Sequence, residues 1–408
     1  MDKGIIADFH IHSRYSRATS KNITFDNLVK YARIKGVDML GTGDFTHPLW
    51  IKELKEKLKH NGSGVYYYQD FPFIFSTELS LVFSEAGKGR RVHIVILAPS
   101  LETAEQINSW LLTKGRLDYD GRPIFGMSCI ELAENLFKID RDIEIIPAHA
   151  WTPWFGIFGS MSGFDSLKEA FKEYTGKIHA IETGMSSNPA MNWRLSELNE
   201  KSLVSFSDAH SFWPFRLGRE ATIFSGKVNE EVSYKDILKQ IRDNELLGTI
   251  ETDPAYGKYH YDGHRLCNFS CSPAEALKLK DICPVCHKTM TIGVEHRVEE
   301  LANHPAGFKP RNAKQFYSLL PLHELIAAAK ASTLSSKKVW EEYNKLINAF
   351  GSEFNILLDA EKEKLARVTD KKLVDIILLN REGKIKVKPG FDGVYGEAML
   401  QEKQAKLL

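Results

Sequence analysis

Up to residue 251 the chain alternates short apolar, β-branched runs with longer stretches whose apolar positions recur every three or four residues. Residues 5–9, 38–42, 73–77, 92–97, 143–148, 178–182, 203–207 and 221–224 read as strands. Between them, residues 24–35 carry Leu28, Val29, Ala32 and Ile34 on helical spacing. Residues 128–137 open with Ser128 and place Glu131 three positions later, the reciprocal cap that starts a helix. Alternating strands and helices predict an α/β fold with a largely parallel sheet. Eight strands in so short a stretch favour a closed or distorted barrel over an open sheet.

The pattern changes after Glu251. Residues 252–263 (TDPAYGKYHYDG) are polar and turn-rich. Four cysteines crowd into 267–286, residues 313–379 return to helical periodicity, and 381–396 alternates Ile385 and Val387 with lysines before two turns, as a short basic hairpin does. The chain therefore divides into a barrel over 1–251, a linker and cysteine module over 252–312, and a mostly helical domain over 313–408.

Composition narrows the class without naming an activity. The 408 residues are 43% hydrophobic and 26% charged, which excludes disordered, collagenous and disulfide-stapled chains. No apolar run reaches the roughly 18 residues of a membrane span. Met1-Asp2-Lys3-Gly4-Ile5-Ile6 lacks a signal-peptide stretch, so the expected location is the cytoplasm. Net charge is +1, so any nucleic-acid surface must be local.

The 14 histidines change the picture, because many fall where an apolar run ends. His10 and His12 close the first run and share a strand face. Asp44 follows the second, Glu78 the third, His93 lies in the fourth, His149 follows the fifth, and Asp208 and His210 follow the seventh. The active face of an α/β barrel lies at the C-terminal ends of its strands, and imidazole with carboxylate suits zinc, manganese or iron. Eight such groups exceed the four ligands of one tetrahedral ion. Two or three ions bridged by Glu78 or Asp208 would fit, and their excess positive charge would attract a phosphate. Asp208 and His210 stand nearest the expected chemistry. His47 is a ligand, a proton donor to a leaving oxygen, or a surface residue. Glu182 is expected to lie behind the ligands or to be structural, and Asp8 to orient a ligating histidine.

These residues resemble the polymerase-and-histidinol-phosphatase (PHP) family. The His-x-His, Thr-x-Asp-like turn, Glu, two separated His and final Asp-x-His stand in order between Ile5 and Ser211. The resemblance implies a distorted seven-stranded (β/α)7 barrel, up to three divalent metals (zinc, magnesium or manganese) and phosphoester hydrolysis. Ala18 and Phe45 stand where many members place further histidines. The strings GTGDFTHP at 41–48, PAHAW around His149, SDAH at 207–210 and RVEELANHP after Cys286 are similar to the endonuclease Q family. That likeness implies repair of DNA by cutting the phosphodiester 5′ of a deaminated base (uracil, hypoxanthine, xanthine) or an abasic site. It further implies metal-assisted hydrolysis and a base flipped into a pocket between the barrel face and the C-terminal half. The runner-up is a phosphatase of a small phosphomonoester, and the third reading a non-catalytic binding module.

Cys267-x3-Cys271 and Cys283-x2-Cys286 are the two knuckles of a structural zinc site, with a redox role for Cys283 and Cys286 as the alternative. Cys129 is expected to be inert. Trp151, Trp154 and Phe155 follow His149, and Phe212 and Trp213 follow His210, so these aromatics form either a packed lid or a surface that stacks on an unpaired base. Arg90 and Arg91 could track a phosphate backbone. Gln404-Ala405-Lys406-Leu407-Leu408 begins like a sliding-clamp peptide but stops before its aromatic pair. A nucleoid-associated monomer with DNA as partner is expected.

Overall fold

The computed structural model describes residues 4–227 and 232–399. Its framework strands are β1 (Ile5–Asp8), β2 (Met39–Gly41), β3 (Phe71–Glu85), β4 (Lys88–Ala98), β5 (Glu144–Pro147), β6 (Ala180–Glu182), β7 (Ser202–Val204), β8 (Ala221–Phe224), β9 (Gly248–Glu251) and β10 (Gln315–Ser318). The central sheet runs β10-β9-β8-β1-β2-β3, and β4 bonds to both β3 and β5. β6 and β7 form a separate parallel pair. Single bonds carry the strands onward: Ala150 N–H to Glu182 O and Thr183 N–H to Val204 O, both 2.9 Å. Ser207 N–H to Asp8 Oδ1 at 3.0 Å and Ser205 N–H to Thr222 Oγ1 at 2.9 Å lead back to β1 and β8.

The sheet is mixed, which corrects the expected largely parallel one. β1, β2 and β3 are parallel neighbours, but β3–β4, β4–β5, β1–β8 and β8–β9 are antiparallel. The runs 73–77 and 92–97 are parts of one long hairpin. Its turn, Ala86-Gly87, has φ of 50° and 77°, the double positive φ that a two-residue hairpin loop needs. The outer half carries Glu85, Lys88 and Arg91, which hid it from an apolar pattern.

Side chains alternate across the strands. Val95 and Leu97 join Ile5, Ala7, Phe9, Met39, Ile74, Ile146 and Val204 in an inner cluster, while Ile94 and Ile96 face the helices. The helix Tyr234–Arg242 adds Ile237, Leu238 and Ile241 to the inner cluster. Its Tyr234 hydroxyl donates to Leu97 O and Asp142 O, which places it at the end where β5 begins. The opposite end, where β1 and β5 finish, is left for the histidines.

Helices Leu322–Ala329, Lys337–Phe350, Lys362–Val368 and Lys371–Arg381 make the C-terminal half. Residues 315–318 depart from the helical pattern expected from 313: they form β10, parallel to β9. Short strands Val387–Lys388 and Glu397–Ala398 pair in the expected hairpin. Gly390 and Gly396 N–H groups tie it to Ala255 and Tyr256. The clamp-like residues 404–408 lie outside the described residues. Among the described residues, no helix is long and apolar enough to cross a membrane.

Candidate metal centre

His10 and His12 leave β1 with each Nδ1 held by a carboxylate. Glu182 Oε1 lies 2.9 Å from His10 Nδ1, and Asp44 Oδ1 lies 2.9 Å from His12 Nδ1. Both Nε2 atoms therefore turn inward. His12 Nε2 is 2.9 Å from Asp208 Oδ1 and 3.2 Å from Glu78 Oε2; His10 Nε2 is 3.4 Å from each of the same two oxygens. On the far side of Glu78, Oε1 lies 2.7 Å from His93 Nδ1 and 3.3 Å from His149 Nε2. Two groups of possible ligands result, His10–His12–Glu78–Asp208 and Glu78–His93–His149, and they share Glu78.

The backbone is bent to this purpose. Asp44, His149 and Asp208 have φ of 44°, 30° and 48°, a conformation that costs non-glycine residues energy and gathers at functional sites. Glu182 Oε2 also accepts the His149 N–H at 2.6 Å, so one carboxylate fixes two ligands. Asp8 accepts from Ser207 N–H and from Gly218 N–H at 2.9 Å. It thus anchors the turn that presents Asp208 rather than orienting a histidine.

Electrostatics follow from burial and crowding. Burial opposes the Glu78 carboxylate, but His93, Arg122 and His10 outweigh it and hold it well below the usual range. Burial pushes His93 down to about 4 despite Glu78 beside it. Burial also disfavours the Asp208 carboxylate, yet His10 and His12 hold it low. The set fits divalent cations: the donors are imidazole and carboxylate, and the buried His10 Nε2 has no hydrogen-bond partner among the described residues.

Two of the eight expected ligands, Asp44 and His210, stand outside both groups, as does His47. Asp44 backs His12 and accepts Ser13 N–H at 2.6 Å and the Ser16 hydroxyl at 2.8 Å. His47 caps the helix Pro48–Lys57 by accepting Leu49 N–H and stacks on Tyr15 at 4.5 Å. His210 Nδ1 faces the Asp208 carbonyl at 2.8 Å, and its ring lies 4.6 Å from that of His12. It lies at the edge of an open cavity of about 710 Å³ that Asp208, Gly184, Met185, Phe206, Arg216, Lys258 and Tyr395 also line.

The aromatic and basic rim divides. Trp151 is fully buried and donates to Asn192 Oδ1 at 2.8 Å, so it is core. Phe212 is buried against Tyr31, and Trp213 packs 5.3 Å from Trp340 of the helical half. Trp154 and Phe155 remain half-buried, Phe155 with its ring 4.3 Å from that of His93. Arg90 is buried between Gly163 O, Glu169 and the Phe164 ring, whereas Arg91 is exposed.

In the cysteine module the structure gathers His264, Cys267, Cys283 and Cys286. His264 Nδ1 lies 3.1 Å from Cys267 Sγ and 3.4 Å from Cys286 Sγ. Cys271, the remaining member of the expected four-cysteine set, stands outside this group. Strand Asp262–His264 pairs with Phe269–Cys271 so that His264 faces Phe269 at the knuckle and Cys271 faces Asp262 two positions back. Cys271 is buried beside Ala276 and Met290. Cys129 is fully buried, and burial pushes its thiol up. Sequence reasoning missed His264 and Arg122. The first signal was a histidine three residues before Cys267, the second the turn Asp120-Gly121-Arg122-Pro123.

Residues 321–384 match the family model of the MJ0043 C-terminal domain. The chain is 29% identical to the uncharacterized protein YqxK of Bacillus subtilis over 97% of its own length and 99% of that protein. The crystal structure of the lesion-specific endonuclease PfuEndoQ from Pyrococcus furiosus superimposes with a TM-score of 0.87 at 31% identity, covering 98% of this chain and 96% of that one. A crystal structure of endonuclease Q with a 27-mer duplex carrying an abasic lesion at the active site gives 0.87 at 32% identity, covering 98% and 97%.

Proposed function

Because the chain belongs to the endonuclease Q family, and so is a DNA endonuclease, we propose that it cuts the phosphodiester 5′ of a deaminated base or an abasic site by metal-assisted hydrolysis. The observation that carries this reading is the convergence of His10, His12, Glu78, His93, His149 and Asp208, from five separate segments, on two ligand groups sharing one carboxylate. The wrap of strands from β5 through β6 and β7 back to β1 supports the distorted PHP-type barrel. Two divalent cations held there would supply the Lewis acidity that makes water nucleophilic near neutral pH and offsets charge on the phosphate.

The chain's own residues do the rest. Asp44 and Glu182 fix the tautomers of His12 and His10, so that both Nε2 atoms stay lone-pair donors. The cavity beside Asp208 takes the extruded nucleotide. Its Ser186, Ser211, Arg216 and Lys258 side chains offer donors suited to the carbonyl that deamination creates and to the flanking phosphates. Phe155 closes the side next to His93, and Trp154 packs on Tyr259. His264, Cys267, Cys283 and Cys286 hold a structural zinc in the 252–312 module, which carries Lys258 to the cavity rim. A clamp contact through 404–408, action as a monomer and a place on the nucleoid complete the proposal.

The test is a labelled duplex with a single uracil, hypoxanthine or abasic site, incubated with the metal-loaded protein. One nick on the 5′ side of the lesion is expected, abolished by Asp208→Ala and by a chelator. Intact lesion DNA alongside hydrolysis of a small phosphomonoester would favour the phosphatase instead.

A further inference from the structure

The loop after helix Leu101–Leu111 carries Asp120-Gly121-Arg122-Pro123 into the metal centre. It is fastened there along its length. Asp120 is buried and accepts the N–H groups of Arg17 and Arg122, both at 3.2 Å. Gly121 donates to Tyr15 O at 3.2 Å, and its carbonyl accepts the Thr46 hydroxyl at 3.1 Å. A Cβ on Gly121 would lie 2.2 Å from Asp44 Oδ2 and 2.4 Å from Ser16 Oγ. The turn is therefore pressed against the carboxylate that holds His12, and glycine is the residue that fits.

This packing delivers Arg122. Its Nη1 lies 3.0 Å from Glu78 Oε2, the oxygen that also faces His12 and His10 Nε2. The Arg122 side chain keeps 25% of its surface exposed, so part of the guanidinium remains open to an incoming group.

The charge count sets the role. Two divalent cations would bring four positive charges, which the carboxylates of Glu78 and Asp208 beside them and of Asp44 and Glu182 behind the histidines only just balance. A further permanent cation in that place is repelled unless an anion joins it. We propose that Arg122 is a catalytic residue that grips a non-bridging oxygen of the scissile phosphodiester. The proposal rests on the endonuclease reading above and names a contact that reading does not contain. During cleavage the water oxygen bonds to phosphorus while the bond from phosphorus to one sugar oxygen breaks. The electron pair leaves with that sugar oxygen, which takes up a proton, and the attacking water gives one up. Arg122 stays protonated throughout, and its planar fork offsets the charge that gathers on the non-bridging oxygens.

Single-turnover nicking of lesion DNA is measured for wild type, Arg122→Ala, Arg122→Gln and Arg122→Lys, with DNA affinity, bound metal and melting temperature recorded for each. Loss of the contact lowers the cleavage rate about 100-fold in the alanine and glutamine variants, with metal content and melting temperature unchanged and lysine recovering part of the rate. Phosphorothioate at the scissile linkage slows wild type and adds little to the slowing already present in Arg122→Gln. The glutamine variant keeps the side-chain bulk, so a collapsed alanine variant does not decide the matter. Nicking by the variants within about threefold of wild type, or a rate loss that tracks lost metal, overturns the assignment. Wild-type protein that leaves lesion DNA intact would instead sink the endonuclease reading, and this contact with it.

Discussion

Glu78 is the residue around which the centre is arranged, because one oxygen faces His10 and His12 and the other faces His93 and His149. The geometry of those imidazoles depends on groups one layer out. Asp44→Asn keeps a carbonyl for the Ser13 and Ser16 donors but replaces the charge opposite His12 Nδ1. Metal affinity is expected to fall about 10- to 100-fold with the fold intact, read by metal titration beside a melting curve. Glu182→Gln should weaken it similarly, because Glu182 meets both His10 and His149. Unchanged metal binding in both variants would reduce these carboxylates to filler. Most members of the two candidate groups were legible in the sequence, because so many apolar runs end in His, Asp or Glu together. The distinction between His12 as a ligand and Asp44 as its support was not legible, because both sit in the same kind of turn.

At the scale of elements, the cysteine knuckle and one buried ion pair each make a testable claim. The knuckle closed by His264, Cys267, Cys283 and Cys286 predicts that Cys271→Ser retains one zinc per chain, whereas His264→Ala and Cys283→Ser lose it and lower the melting temperature. Metal analysis of the three proteins decides the ligand set, and zinc lost from Cys271→Ser alone would restore the four-cysteine site. Cysteine spacing records order along the chain, while the hairpin register decides which side chain arrives at the knuckle. The ion pair is that of Lys35 in helix Phe25–Lys35, whose Nζ lies 2.6 Å from Glu353 Oε1 in a fully buried setting. Glu353 also accepts Leu322 N–H and the Tyr343 hydroxyl. Lys35→Met leaves that carboxylate without its cation, and a loss of about 3–5 kcal/mol is expected from denaturant unfolding. Nothing in the sequence joined these residues, which lie 318 positions apart.

For the molecule as a whole, the sheet is where sequence and structure part most. Strand positions were readable from apolar runs, but their directions depend on whether a helix or a two-residue turn intervenes, and Ala86-Gly87 reverses the chain where a crossover was expected. The mixed sheet then buries two carboxylates beside β8 and β9. Ser205 donates to both Glu220 and Glu251, at 2.7 and 3.2 Å, and Thr183 and Thr249 donate to Glu251. Burial pushes Glu220 up to about 7, and burial beside Glu220 pushes Glu251 well above its usual value. Both groups are thus raised on folding from an ordinary value of 4.5. Their stability is fully present below that value. Glu220's share is lost as pH climbs through about 7 and Glu251's as pH climbs through its own raised value, because the unfolded chain releases its protons first. Glu251→Gln keeps an amide that donates to Glu220 and cannot ionise. The melting temperature of wild type should therefore fall from pH 5 to pH 8, and the advantage of Glu251→Gln over it should widen across the same window. A difference between the two proteins that stays constant with pH would mean that the pair is not protonated in the folded state.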